Sequence, residues 1–212
     1  MKKLITLLLI LVMGLSLIGC NNSKESNETD SDSKSGELSE FTTDERFLMD
    51  MYDVFIGNVD YDIISEEDLT SEYEDYETRI EEANKQSHIS SLQAQLDLIL
   101  QYKNLEFEDK DLKQLAIKYM DLLKEQISLV EEDKAWKLEI YDGQEVQVPT
   151  YEDLQNTVKR YETIIKLKEK GLQIEDEQIE VLKENKEYLE NQIKALDEGR
   201  DPFKEEFETS VG

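Results

Sequence analysis

Two residue types that carry covalent and acid–base chemistry occur once each in this chain, a cysteine at 20 and a histidine at 88. A thiolate is a nucleophile and a metal ligand, and an imidazole is the usual general base near neutral pH. One thiol forbids a disulfide within the chain, so the folded body must be stable without one. One imidazole cannot supply two Glu-x-x-His motifs for a di-iron bundle, nor the ligand set of an ordinary zinc or non-haem iron site. No G-x-S-x-G, H-E-x-x-H, Walker or G-x-G-x-x-G pattern is present. His88, in KQSHISS, therefore reads as a surface or polar-layer residue.

Carboxylates are the abundant reactive group, and two of them across a cleft can cleave a glycoside. Nothing in the spacing singles out such a pair, and Glu-rich helical faces are ordinarily solvated. The run EEDLTSEYEDYE (Glu66 to Glu77) could bind calcium or magnesium weakly without a dedicated loop. DSDSKSG fails as a calcium loop, because Lys34 and Ser35 stand where an acid or Asn and then a glycine are needed. The sequence supports no catalytic residue, no metal ligand and no cofactor, and the expectation is a protein that is not an enzyme.

The setting of Cys20 explains it. Lys2 and Lys3 precede an apolar run from Leu4 to Leu17, and small residues follow. This is the plan of a secretory signal peptide. The run, roughly 15 residues, falls short of the roughly 20 that a spanning helix needs. Its end, Leu17-Ile18-Gly19-Cys20, resembles the lipobox of bacterial lipoproteins, those of Gram-positive cells in particular. The resemblance covers the signal and the overall helical character only. It implies cleavage before Cys20, a diacylglyceryl thioether on its sulfur, and further acylation such as palmitate. Two acyl chains, at about 0.8 kcal/mol per buried methylene, anchor durably where one myristoyl chain does not. The expected address is the outer face of the cytoplasmic membrane.

Charge narrows the partners. Asp and Glu number 51 against 24 Lys and Arg, a formal net charge of −27. Losing Lys2 and Lys3 with the signal makes it about −29. Nucleic acid is excluded as a partner, since phosphates demand a basic footprint. An anionic leaflet would also repel the body, so lipid rather than surface charge must hold it at the membrane. Anionic wall polymers would need bridging divalent cations, whereas cationic peptides or proteins would be attracted.

The elements follow from periodicity. Residues 20–42, rich in Ser, Asn and acids, cannot bury enough to offset ordering entropy and are expected to be a disordered tether. Eight Gly and two Pro in the whole chain suit long helices rather than a solute receptor with a doubly wound sheet. Thr43 or Asp44 should cap a short helix whose face is Phe47, Leu48, Met51, Tyr52 and Phe55. A second helix is expected from Ser65, with a stripe of Leu69, Tyr73, Tyr76, Ile80 and Ala83. That stripe weakens at NKQSHISS and resumes at Leu92, Leu96, Ile99 and Tyr102.

A third helix is expected from about Asp109 to Ile140. Its broad face, Leu112, Leu115, Tyr119, Leu122 and Leu129 widened by Ala116, Met120, Leu123, Ile127 and Val130, suits packing on two neighbours. Asp142-Gly143 then signals a small β-hairpin or ordered loop near 140–148, with Trp136 beside it as a packing anchor or an interface residue. The last pattern keeps one heptad frame from Leu154 to Leu196. Lys168, Glu175 and Lys186 interrupt it, and the stretch near Gly171 either bends the helix or splits it. Residues 201–212 read as a loose tail.

The fold class expected is all-α. Residues 1–19 are a cleaved signal, and residues 43–200 are an elongated antiparallel bundle or coiled coil of three long helices and one short one. The function expected is that of a surface lipoprotein binding an envelope protein, a peptide or the cell wall, with homo-oligomerisation open. The alternative is an immunity or exclusion lipoprotein that intercepts a cationic bacteriocin or a phage factor.

Overall fold

The computed structural model describes residues 41–65, 69 and 76–211. The signal peptide, the lipobox with Cys20, the tether to Glu40 and most of the Glu66–Glu77 run lie outside the described residues. Six helices and one two-stranded antiparallel sheet follow in chain order. They are α1 (Thr43–Ile56), α2 (Tyr76–Leu100, continued by a 3-10 turn, Gln101–Asn104), α3 (Lys110–Glu131), β1 (Trp136–Tyr141), β2 (Gln144–Pro149), α4 (Tyr151–Glu169), α5 (Asp176–Asp197) and α6 (Pro202–Val211). The chain is mainly helical, but the count and arrangement differ from three long helices and one short one.

α1 starts where a reciprocal cap permits. The Thr42 hydroxyl accepts from the Glu45 amide at 3.2 Å, and the Glu45 carboxylate accepts from the Thr42 amide at 2.8 Å. The cap thus lies one residue before the expected Thr43. Phe47 and Met51 on its inner face are wholly buried, and Val54 and Phe55 nearly so. Burial of each such side chain stabilises the fold by about 1.5–3 kcal/mol. Tyr52, expected on that face, is 37% exposed instead.

Hydrogen bonds and ion pairs set the helix directions. Lys85, early in α2, donates to Asp133 and to the Glu131 carbonyl at the end of α3. Lys170, just past α4, pairs with Asp109 at the start of α3, while Gln126 late in α3 reaches Asp153 early in α4. Tyr151 at the start of α4 donates to Asp197 at the end of α5, and Tyr188 of α5 donates to Glu206 of α6. Each successive pair from α2 to α6 is therefore antiparallel, as short connections favour. One continuous core runs from Phe47 to Phe207.

Four expectations are corrected. The helix expected from Ser65 is described only from Tyr76: residues 61–65 carry no regular secondary structure, Leu69 lies in a bend, and Tyr76 at the described start of α2 is 56% exposed with Arg79 over its ring. The stretch is held by side chains of α2, since the Asp62 amide donates to the Ser90 hydroxyl and the Ile64 amide to that of Ser87. The polar interruption NKQSHISS thus docks residues 62–64 through hydroxyls that an apolar stripe does not offer. Secondly, α3 stops at Glu131, and its supposed last turns are β1.

Thirdly, the long heptad frame is a helical hairpin. Gly171 at φ 107° takes a conformation that side chains resist, Leu172 and Ile174 plug the turn at 1% and 2% exposure, and Glu175 with Gln178 recaps α5. A frame sustained through the turn therefore belongs to two helices facing each other.

The supposed tail is α6. Asp201 accepts from the amides of Phe203 and Lys204, opening the helix, and Phe203 and Phe207 are buried at 7% and 6%. Phe207 packs on Tyr141 of β1 with ring centroids 5.6 Å apart. Replacing Phe207 by Ala should lower unfolding stability by about 3 kcal/mol, a large-to-small loss in a packed site. Urea titration followed by circular dichroism checks this; a change below about 0.5 kcal/mol, the level of a surface substitution, would restore the tail reading.

Candidate functional site

The described residues converge in two places, a buried polar layer between α2, α3 and α4, and the outer face of the hairpin. In the layer, Gln126 donates to Asp153 at 2.6 Å with both residues buried. Asn156, wholly buried, donates to the Leu122 carbonyl at 3.0 Å and to Glu125 at 3.1 Å. Asp153 sits there because Thr150 caps α4 and accepts from its amide, fixing the first turn against α3. Burial pushes the Asp153 carboxyl above its usual range, against the opposing effects of the Gln126 bond and the Arg160 charge. The outer oxygens of Gln126 and Asn156 and the Nε of Arg160 are buried without a hydrogen-bond partner.

His88 enters this region from α2. Its ring lies 5.6 Å from that of Trp136 at the root of β1. Burial, and secondarily the Arg160 charge, lower its pKa from 6.5 to about 4. The imidazole is neutral at physiological pH and, half-buried, packs as a polar ring against Trp136. Tyr119 and Tyr161 are buried on the same helices, and burial raises both hydroxyls.

The hairpin positions the second region. Asp142 and Gly143 both have positive φ, 51° and 77°, the two-residue turn whose twist matches paired strands. It fixes the register Tyr141↔Gln144 through Trp136↔Pro149. The inner face carries Tyr141 and Val148, both buried. Tyr141 also donates to Asp201 at 3.0 Å, tying the hairpin to the α5–α6 turn. The outer face carries Trp136, Leu138 and Ile140, of which Leu138 and Ile140 are each 68% exposed. Trp136 is half-buried, so it packs inward against His88 while flanking this apolar strip.

Leu138 went unnoticed as a surface residue when read only within the helical pattern. The signal was there in WKLEIY ahead of Asp-Gly, a period-two alternation with apolar residues at 136, 138 and 140. A shallow groove of about 660 Å³ also lies between α5 and α6, lined by Gln192, Lys194, Arg200 and Glu205 among others. Phe47 and Phe55 belong to the core, with the Phe47 ring edge-on to Tyr102 and Phe107.

Among the described residues, no three His, Cys, Asp or Glu side chains are grouped to hold a metal ion, and no helix is long and apolar enough to cross a membrane. Comparison with protein-family models, with curated proteins and with solved structures finds no match to this chain.

The lone histidine makes a clean pH experiment. The unfolded imidazole protonates near 6.5 and the folded one near 4, so the unfolded chain binds more protons between these values. Stability therefore falls as pH drops through that window, by up to about 1.4 kcal/mol per pH unit. Burial raises the carboxyls of Asp50 and Asp153, which act in the opposite sense, so His88 is isolated by the difference between wild type and His88→Gln, whose slope between about pH 6.5 and 5 should be smaller. Denaturation midpoints across that range measure it; an unchanged slope in the variant would place the ring in solvent.

Proposed function

We propose that this chain is an exported lipoprotein, acylated on Cys20 and held at the outer face of the cytoplasmic membrane. Its helical body is a non-enzymatic module that binds an envelope protein, a peptide or the cell wall. The observation that carries the reading is the sequence of Lys2-Lys3, an apolar run and Leu17-Ile18-Gly19-Cys20. No other role accounts as well for a single cysteine at the end of such a run.

Several features support the binding half. Buried polar side chains join helices, with Gln126, Asp153 and Asn156 linking α3 to α4. The surface offers an apolar strip at Leu138 and Ile140, the kind of feature that marks a contact site when it is not scattered. The net charge of −27 favours, as a second reading, interception of a cationic peptide at the membrane.

Cys20→Ser tests the anchor. Metabolic labelling with an alkyne fatty acid should mark the wild-type chain and not the variant, and the variant should leave the membrane fraction. Labelling that persists in Cys20→Ser, or no labelling of either, would overturn the lipoprotein reading. Crosslinked recovery from native envelope, with low- and high-salt washes, separates the partner classes. One protein retained at high salt marks an apolar contact, whereas basic material released by salt marks interception.

A further inference from the structure

The hairpin has two edges, and they are protected unequally. The tight turn makes Tyr141↔Gln144 a hydrogen-bonded pair, so alternate residues of each strand face inward and the others face outward. On β2 the outward amides fall at Glu145, Gln147 and Pro149. Proline has no N–H, and with a charge beside it this edge is blunted in the way natural sheets prevent further pairing. On β1 the outward amides fall at Trp136, Leu138 and Ile140. Among the described residues, no hydrogen bond to the backbone N–H or C=O of these three occurs outside the hairpin's own ladder. The same three residues carry the apolar side chains of the outer face, with Leu138 and Ile140 each 68% exposed.

The charges along this edge are complementary to themselves. Lys137 and Glu139 lie on the inner face on either side of Leu138 and pair with each other at 2.6 Å. If two β1 strands meet antiparallel about a twofold axis at Leu138, Lys137 of each stands opposite Glu139 of the other. Leu138 then meets Leu138, and Trp136 meets Ile140. Those pairs are the ones with outward amides, so each can exchange both backbone hydrogen bonds. Centring the axis on Lys137 or Glu139 instead would oppose like charges directly, which destabilises a sheet. Only the Leu138 register satisfies the backbone, the apolar face and the charges together.

We propose that a second copy of this chain docks on the free edge of β1 in that register, joining two hairpins into a four-stranded antiparallel sheet. Six residues a side form a small contact, so the dimer belongs to the weak class. Pairing on a twofold axis makes it closed, with no edge left for growth beyond β2 and its Pro149.

The test uses two differently tagged copies of the full chain, coexpressed and purified in mild detergent. Wild-type copies should co-purify, and sedimentation at about 100 µM should report a dimer, a concentration suited to a contact of this size. Lys137→Glu alone and Glu139→Lys alone each place like charges across the axis and should weaken self-association at least about tenfold. Mixed together, K137E and E139K chains should associate as well as wild type, because each Glu then faces a Lys. Within a single K137E or E139K strand the neighbouring charges are alike, so a merely structural role for the pair would not restore anything on mixing. Leu138→Lys, exposed and therefore tolerated by the fold, should abolish association while leaving circular dichroism unchanged. A monomeric wild-type chain, or a dimer indifferent to Leu138→Lys, or single variants that fail to complement each other, would overturn the proposal.

Discussion

Negative charge is the condition that every part of this structure must satisfy. With 51 carboxylates and 24 basic side chains, the folded body repels itself, and compaction has to come from apolar burial. That explains why the core is one continuous cluster from α1 to α6 rather than a set of separate seams. It also explains the use made of the acids. A carboxylate can also be held by a neutral donor. Tyr102 donates to Asp50 at 2.7 Å, Tyr141 to Asp201 at 3.0 Å and Tyr151 to Asp197 at 2.9 Å. Each of these bonds joins two different elements. Asp44 of α1 similarly accepts from the amides of Glu108 and Asp109 at the entry to α3, where backbone N–H groups have no helical partner. Fixed donors thus turn part of the charge excess into connections.

Within that core the polar layer has a different role. Gln126, Asp153 and Asn156 are buried, and each is bonded across the α3–α4 contact. A one-turn slip of these helices would leave the same groups in apolar surroundings without partners, at a cost of a few kcal/mol. An apolar stripe alone tolerates such a slip far better. The layer therefore specifies the register, and His88 with Trp136 extends the constraint to α2 and the hairpin root. The hairpin in turn is anchored on one face by Val148 and Tyr141 and left open on the other. A rigid base with an unpaired edge is what makes its outer strip available for contact.

Much of the helical content was legible in local periodicity. Leu92, Leu96 and Ile99, and the broad face from Leu112 to Val130, are buried where a 3.6-residue period places them, and Leu154, Val158, Tyr161 and Leu189 likewise. The Asp-Gly turn at 142 and 143 was legible because positive φ at both positions admits few residue types. The errors share a cause. A heptad count continues through a turn if the turn itself carries apolar plugs, as Leu172 and Ile174 do, so the pattern alone leaves a bend and a split near Gly171 equally open and counts the pair as one long element. Phe203 and Phe207 sit in a short acidic segment whose local propensity says little, and only the groove beside Tyr141 gives them a place. The burial of His88 and the exposure of Leu138 were likewise set by neighbours distant in sequence.

By itself, then, the sequence determined the chemical character of this protein. It established the lone thiol behind an apolar run, the scarcity of reactive side chains, the charge, and the helical period of most of the body. These are properties of composition and of short windows, where the governing interactions are local. Tertiary structure alone decided that the long pattern splits near Gly171 rather than bending, that the last ten residues of helix close the core, that Ser87 and Ser90 hold residues 62–64, and which residues of WKLEIY face outward. Each of those depends on which surface is covered by another element, and burial is a relation between segments that no single window contains.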